Sequence, residues 1–401
     1  MRAAGELSIA VIAMALGAAA GCGSPSGPPT TSPPPPLTWS LATSPPAPAG
    51  LTGLSLDGVA CDSATDCWAV GSGQDASGNS QAVIEQLTVA GWSLVTGPTP
   101  PGSSFSVLEG VSCTAAGTCW AAGYDVGSEG TATTLIEEQT GSGWTIVASP
   151  AQPAGEAGFL NAVTCDAAGD CWAAGSVDGS DGNSGTLVEE ETGGGWSIVP
   201  TPVAPSGVTS ELDAVSCADP AYCWASGDLV DASGAVQVLT LEDTGSGWTV
   251  VTSPSASDDE PSSLGTVTCV SHGDCWAAGE FDDATGTAQP LLEHEGGSGW
   301  SIVSSPLPSG ATGGQLSALT CLTATECWAV GEALTASGAG RPLIERDSGA
   351  GWVIQAGPAG PGSTSNQLSA ISCVSASLCW GVGSETASKP GSGPALIEEG
   401  T

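Results

Sequence analysis

Fourteen cysteines pose the first chemical question of this sequence. They fall in seven pairs, each spaced by five residues and each followed by tryptophan: Cys61 and Cys67, Cys113 and Cys119, Cys165 and Cys171, Cys217 and Cys223, Cys269 and Cys275, Cys321 and Cys327, Cys373 and Cys379. Such pairs could hold zinc or staple a hairpin. Structural zinc sites favour shorter spacings and a reducing compartment. Facing residues at a hairpin mouth sit roughly 4.5 to 5.5 Å apart, within reach of a disulfide. Seven stapled hairpins in an oxidising compartment are therefore expected. Loop entropy makes each staple worth about 2 kcal/mol.

Carboxylates are the second resource. Forty-two acidic residues stand against Arg2, Arg341, Arg346 and Lys389, a net charge of −38. That field repels phosphate backbones and anionic lipid surfaces, so nucleic acid is excluded as a partner. Cations, basic partners and neutral glycans stay open. Two loops expected on one face carry Asp258-Asp259-Glu260 and Glu280-Phe281-Asp282-Asp283. Oxygen donors in that number suit Ca²⁺, so Asp258, Asp259, Glu260, Glu280, Asp282 and Asp283 are the candidate metal ligands. A solvated acidic patch is the alternative.

Two further sets of carboxylates recur with the repeat. Glu85, Glu137, Glu189, Glu293, Glu345 and Glu398 share one position, with Leu241 in the remaining unit; a repeated hydrogen bond or an exposed face is expected there. Four residues before the first cysteine, units one to four carry Asp57, Glu109, Asn161 and Asp213, whereas units five to seven carry Gly265, Ser317 and Ser369. One side of an axial channel is thus expected to be acidic. Catalytic sets are sparse. His272 and His294 are expected in loops on the opposite face, and two arginines cannot build a sialidase-type cluster. Paired carboxylates for glycoside hydrolysis stay open, and no catalytic residue is singled out.

The elements that position these groups follow from the repeat. Each first cysteine follows the last by 52 residues. In unit three, Phe159–Cys165 and Cys171–Val177 read as strands, 178–185 as a turn, Thr186–Glu191 as a third strand and Trp196–Pro200 as a fourth. Four short strands in about 50 residues is the signature of a propeller blade. One tryptophan opens the second strand of each unit and another the fourth; packing between neighbouring units explains them better than a sugar platform. The seventh unit stops before its Gly-Trp strand, while Trp39-Ser40-Leu41 precedes the first unit without companions. The predicted fold is all-β: a seven-bladed β-propeller of four-stranded blades, its ring closed by the N-terminal strand completing the last blade.

The layout resembles kelch-type propellers, whose second strand ends in glycine and whose fourth opens with tryptophan before a proline. It resembles more closely a set of bacterial extracellular repeats of the form Trp-Ala-Val-Gly, Leu-Ile-Glu, Gly-Trp-Ser-Val-Val-Pro-Ser-Pro. Residues 328–331, 343–345 and 351–352 carry that form in unit six. The resemblance covers residues 38–401 and implies the fold while leaving activity open. At the other end, the apolar run of residues 7–18 leads to Ala19-Ala20-Gly21-Cys22, which resembles a bacterial lipoprotein signal. That resemblance implies a lipid on Cys22; an ordinary cleaved secretory signal is the alternative. Residues 23–36, rich in proline, read as a semi-rigid stalk with a reach on the order of 40 Å.

The organisation expected is a signal over 1–21, a tether over 22–37 and the propeller over 38–401. The function expected is that of an exported, lipid-anchored, non-catalytic binding module. A glycan-acting hydrolase or lyase using carboxylates of the upper face is the alternative. The partner is an unidentified protein or glycan, the membrane is met only through the lipid, and the chain is expected to be monomeric.

Overall fold

The computed structural model describes residues 36–401 apart from 115–116, 154, 167, 181, 204–207, 257–259, 359–362 and 388–394. The predicted signal, Cys22 and most of the tether lie outside the described residues. Among those described, the chain is all strand and no helix.

A short strand β1 (Trp39–Leu41) precedes the repeats. Units one and two are β2 (Thr52–Ser63), β3 (Asp66–Gln74), β4 (Ser80–Thr88), β5 (Gly91–Val95), β6 (Ser103–Cys113), β7 (Cys119–Gly127), β8 (Ala132–Thr140) and β9 (Gly143–Val147). Units three and four are β10 (Ala157–Cys165), β11 (Cys171–Asp178), β12 (Ser184–Glu191), β13 (Trp196–Val199), β14 (Thr209–Asp219), β15 (Tyr222–Val230), β16 (Val236–Asp243) and β17 (Thr249–Val251). Units five and six are β18 (Ser262–Ser271), β19 (Asp274–Asp282), β20 (Ala288–Glu295), β21 (Trp300–Ile302), β22 (Ala311–Thr323), β23 (Glu326–Thr335), β24 (Gly340–Asp347) and β25 (Trp352–Ile354). The last unit has β26 (Ser363–Ser375), β27 (Leu378–Ala387) and β28 (Ala395–Gly400).

Units two to six are separate four-stranded antiparallel meanders, the layout of a propeller blade. The first and last units are joined at Ser55 and Ser384. Strand β1 pairs antiparallel with β28, Trp39 facing Gly400 and Leu41 facing Glu398. The expected strands of unit three are reproduced to within two residues.

All seven cysteine pairs are disulfides across hairpin mouths, with Cα–Cα distances of 4.0–4.1 Å. Such a set marks an extracytoplasmic protein. Above each staple the first two strands run in register until a β-bulge. In unit three, Ala162 faces Ala174 and Leu160 faces Gly175, leaving Asn161 without an opposite residue. The same shift occurs at Asp57, Glu109, Asp213, Ser317 and Ser369. A wider shift in unit five spans Gly265. The bulge explains the recurring glycine of the second strand. A Cβ on Gly71, Gly123, Gly175, Gly227, Gly279, Gly331 or Gly383 would lie 2.1–2.2 Å from a carbonyl oxygen of the bulged strand.

The core is distributed between units. Trp172, Ala174 and Val188 of unit three pack with Leu212, Cys223, Leu239 and Trp248 of unit four. A second-strand indole meets the fourth-strand indole of the next unit edge to face: Trp68 with Trp144 at 5.2 Å, Trp120 with Trp196 at 5.4 Å, Trp224 with Trp300 at 5.1 Å, Trp276 with Trp352 at 5.3 Å. T-shaped contacts of this kind add roughly 0.5–1.5 kcal/mol each beyond burial. The ends of the chain obey the same rule. Trp39 meets Trp328 at 5.9 Å, and Trp92 meets Trp380 at 5.5 Å. Likewise the amide of Cys165 donates to Ser112 Oγ of the preceding unit, and that of Cys61 donates to Ser372 Oγ of the last.

Two glycine-to-alanine changes test the bulge. Gly175→Ala meets backbone at 2.1 Å and is expected to cost about 2–3 kcal/mol or prevent folding. Gly265→Ala meets nothing within 4 Å and should stay within about 0.5 kcal/mol of the parent in thermal melts.

Candidate functional site

Because a bulge re-aims the residue it leaves unpaired, the seven bulge positions converge. Asp57, Glu109, Asn161, Asp213, Gly265, Ser317 and Ser369 line one axial cavity of about 520 Å³. Glu211, Ser263 and Gln315, each two residues before its bulge position, line it as well, as does Glu280 of β19. The sequence exposed the first set by its deviation from the repeat. The second set carried the same signal, two residues nearer the strand start.

The cavity is polarised. Asp57, Glu109, Glu211 and Asp213 lie on the side of units one to four. The rest of the wall is neutral apart from Glu280. Asn161 Nδ2 donates to the Leu212 carbonyl at 2.9 Å, tying two units together at the wall. Ser55 Oγ donates to Asp57 Oδ1 at 2.7 Å, which offsets part of the effect of burial in raising that carboxyl. Burial, reinforced by the charge of Asp57, pushes Glu109 up to about 7. Burial, with Glu211 and Asp228 nearby, pushes Asp213 up to about 7. Glu211 and Glu280 are raised by burial first and by neighbouring carboxylates second. Carboxyls in this state near neutral pH can both give and accept a proton. Gly265 interrupts the wall, and a Cβ there would touch nothing within 4 Å.

Four of the six carboxylates expected to gather around Ca²⁺ can be followed. Glu280 faces the axial cavity, whereas Glu260 lines a separate cavity. Asp283 closes its own turn: Oδ1 accepts from the Thr285 and Thr287 amides and the Thr285 hydroxyl, and Oδ2 from Gln289. The amide of Asp282 donates to the Pro261 carbonyl at 2.9 Å. Asp258 and Asp259 lie outside the described residues. Among the described residues no three His, Cys, Asp or Glu side chains are grouped to hold a metal ion.

The repeated glutamates of the third strand are not an exposed face. Glu85, Glu137, Glu189, Glu293, Glu345 and Glu398 are fully buried at the seams between units. Three accept a hydroxyl from the Ser-Pro link leaving the preceding unit: Ser149 to Glu189 at 2.8 Å, Ser305 to Glu345 at 2.7 Å, and Ser253 to Glu293. Glycine replaces that serine at Gly97 and Gly357, and there Glu137 and Glu398 have no hydrogen-bond partner among the described residues. Burial pushes Glu85, Glu189 and Glu293 up to about 7 and Glu137, Glu345 and Glu398 up to about 8.

The histidines also differ from expectation in one respect. His272 sits in a hairpin turn, 2.6 Å from Asp219 and stacked on Tyr222. His294 is on strand β20 rather than in a loop, 2.9 Å from Asp274 and stacked on Trp276. Strand alternation, which puts the side chain beside Trp276 of the adjoining strand, decides its place. Neither histidine lines the axial cavity.

No protein-family model matches the chain, and no curated protein matches it. Solved structures do. The chain is similar to an ulvan lyase of a new polysaccharide lyase family, at 9% identity and a TM-score of 0.54, covering 89% of this chain and 93% of that one. It is similar to the polysaccharide lyase Uly1 at 10% identity and a TM-score of 0.55, covering 86% and 88%. It is also similar to the GH74 xyloglucanase from Xanthomonas campestris at 13% identity and a TM-score of 0.53, covering 90% of this chain and 55% of that one. At these identities the likeness is one of fold.

Raised carboxyls bind protons in the folded chain that the unfolded chain releases, so stability must fall with pH. Below the ordinary glutamate value of 4.5 both states are protonated and stability is greatest; it declines as pH rises through about 7 to 8, then levels off. Urea midpoints at pH 5, 7 and 9 should decrease in that order. Glu345→Gln should flatten the decline, whereas an unchanged slope would assign it to general charge repulsion.

Proposed function

We propose that the chain is an exported seven-bladed β-propeller, closed by its N-terminal strand, that hydrolyses a neutral glycan at the axial cavity. The closed ring is supported by the pairing of β1 with β28 and by the indole pairs Trp39–Trp328 and Trp92–Trp380, which repeat the contact between sequential units. The observation that carries the functional reading is the convergence of Glu109 and Asp213, both at about 7, on one cavity. Glycoside hydrolysis needs one protonated carboxyl to donate to the departing glycosidic oxygen. It needs a second, ionised carboxyl to take a proton from water or to attack the anomeric carbon. Burial and mutual repulsion supply carboxyls that hold a proton near neutral pH.

The activities of the similar structures, two polysaccharide lyases and a xyloglucanase, favour a glycan-acting reading over the purely binding module expected from the sequence. Charge favours the hydrolase over the lyase. Elimination beside a uronate carboxylate needs a cationic group to neutralise it, and among the described residues no basic side chain lines the cavity. Arg346 is buried against Glu326 at 2.7 Å and over the Trp328 ring. A net charge of −38 further disfavours an anionic polymer.

The test is reducing-end release from xyloglucan, mixed-linkage glucan and arabinan by the purified protein. Glu109→Gln and Asp213→Asn should each lower the rate at least about 100-fold. Gly265→Gln, which fills open space, should block turnover without lowering the melting temperature. Binding without product would restore the non-catalytic module, and neither binding nor product would end the glycan reading.

The Ala19-Ala20-Gly21-Cys22 sequence and the proline-rich stretch after it support a lipid anchor on a stalk at the outer side of a bacterial membrane. The protein should fractionate with membranes, and Cys22→Ala should release it; a protein that stays bound after the substitution would sink the anchor.

A further inference from the structure

A second cavity opens at the seam of units four and five, where a bridge made at two other seams is missing. Gln81 in unit one reaches across its seam and donates to the Ser104 carbonyl of unit two at 3.4 Å. Gln289 in unit five does the same to the Thr312 carbonyl of unit six at 3.3 Å. The equivalent residues in unit four are Gln237 and, across the seam, Glu260. Among the described residues Gln237 makes no such bond. A cavity of about 690 Å³ lies where the bridge would be, with both residues in its wall.

Its lining is that of a site for uncharged polyols. Gln237 offers an amide, Glu260 a carboxylate and Asp231 a carboxylate oxygen not used by its turn, since only Oδ1 accepts the Ser233 and Ala235 bonds. Val238 and Pro261 supply apolar surface of the kind that meets the C–H face of a sugar ring. Among the described residues no basic side chain lines it, which favours an uncharged ligand over an anionic one. The cavity also adjoins the first. Ser262 lines it while the next residue, Ser263, lines the axial cavity, so the start of β18 is the ridge between them. One strand is about 5 Å across, the length of a single hexose.

We infer that this seam cavity is an outer subsite for the same neutral glycan, holding sugars that extend over β18 from the axial cavity. The inference rests on the glycan reading of the axial cavity. It requires recognition of a chain several sugars long, with the seam contacts made only by the longer ligands.

The experiment uses the intact protein and xyloglucan-derived or mixed-linkage gluco-oligosaccharides of two to six backbone sugars, whichever polymer is turned over or bound. kcat/KM, or Kd if there is binding without turnover, is compared for the parent, Gln237→Ala and Glu260→Gln. Both substitutions lie at the surface, and unchanged melting temperatures verify that they fold. The subsite predicts about a tenfold loss on the longest oligosaccharides and none on the shortest. An equal loss at every length, or no loss at any, would overturn the subsite while leaving the axial site standing. Absence of both turnover and binding for every glycan in the parent would overturn both.

Discussion

The close approach of one carbonyl to one glycine underlies each unit. The first strand bulges, and its carbonyl oxygen comes so near the second strand that any Cβ there would overlap it, as at Gly175 and the Phe159 oxygen. Two consequences follow from this contact. The ladder resumes in register below the bulge, so the cysteines face one another and close the hairpin. The unpaired residue turns towards the axis, where it has no strand to bond and is free to differ from unit to unit. Scaffold and site are two sides of the same irregularity. The constant side is glycine and leucine, and the variable side is the cavity wall.

The seams are the second constraint. A single four-stranded sheet of such short strands cannot bury its own faces, so each unit borrows half a core from the next. Indoles fill the seam because their second-strand neighbours are alanine and glycine. Three of the six glutamates buried there are partnered by a serine leaving the preceding unit, as Glu345 is by Ser305. Unit four departs from this arrangement. It has Leu241 in place of glutamate, and Thr201 bonds Thr186 of its own unit instead. The seam that follows it also opens into the outer cavity. The same unit contributes Glu211 and Asp213 to the axial cavity, so the chemistry and the relaxed packing are gathered in one sector.

Legibility followed the repeat. The staples, the four strands of each unit and the unpaired N-terminal strand were all readable, because each depends on local spacing or on a count that fails to balance. The bulge position was also readable as a place where Asp57, Glu109, Asn161 and Asp213 give way to Gly265, Ser317 and Ser369. The acidic loops were legible only as composition. Asp283 looks like a metal ligand in a run of carboxylates, but its oxygens belong to its own turn, a local bond that the run does not announce. The repeated glutamates read as a repeated hydrogen bond or an exposed face; they are buried, and three make the bond with a serine 40 residues back in the chain.

The cysteine pairs with which the sequence first suggests chemistry are structural, and that much the sequence determined alone. A fixed spacing within a hairpin leaves one geometry for the staple, and a residue repeated seven times is held there by packing. Which carboxyls share a cavity was decided only by the tertiary structure. Asp57 and Asp213 are three units apart in the chain and face one space because strands that never pair are brought around one axis. The proton affinity of Glu109 and Asp213 is likewise a property of that enclosure. Desolvation depends on what surrounds a group in space, and no local stretch of sequence contains it.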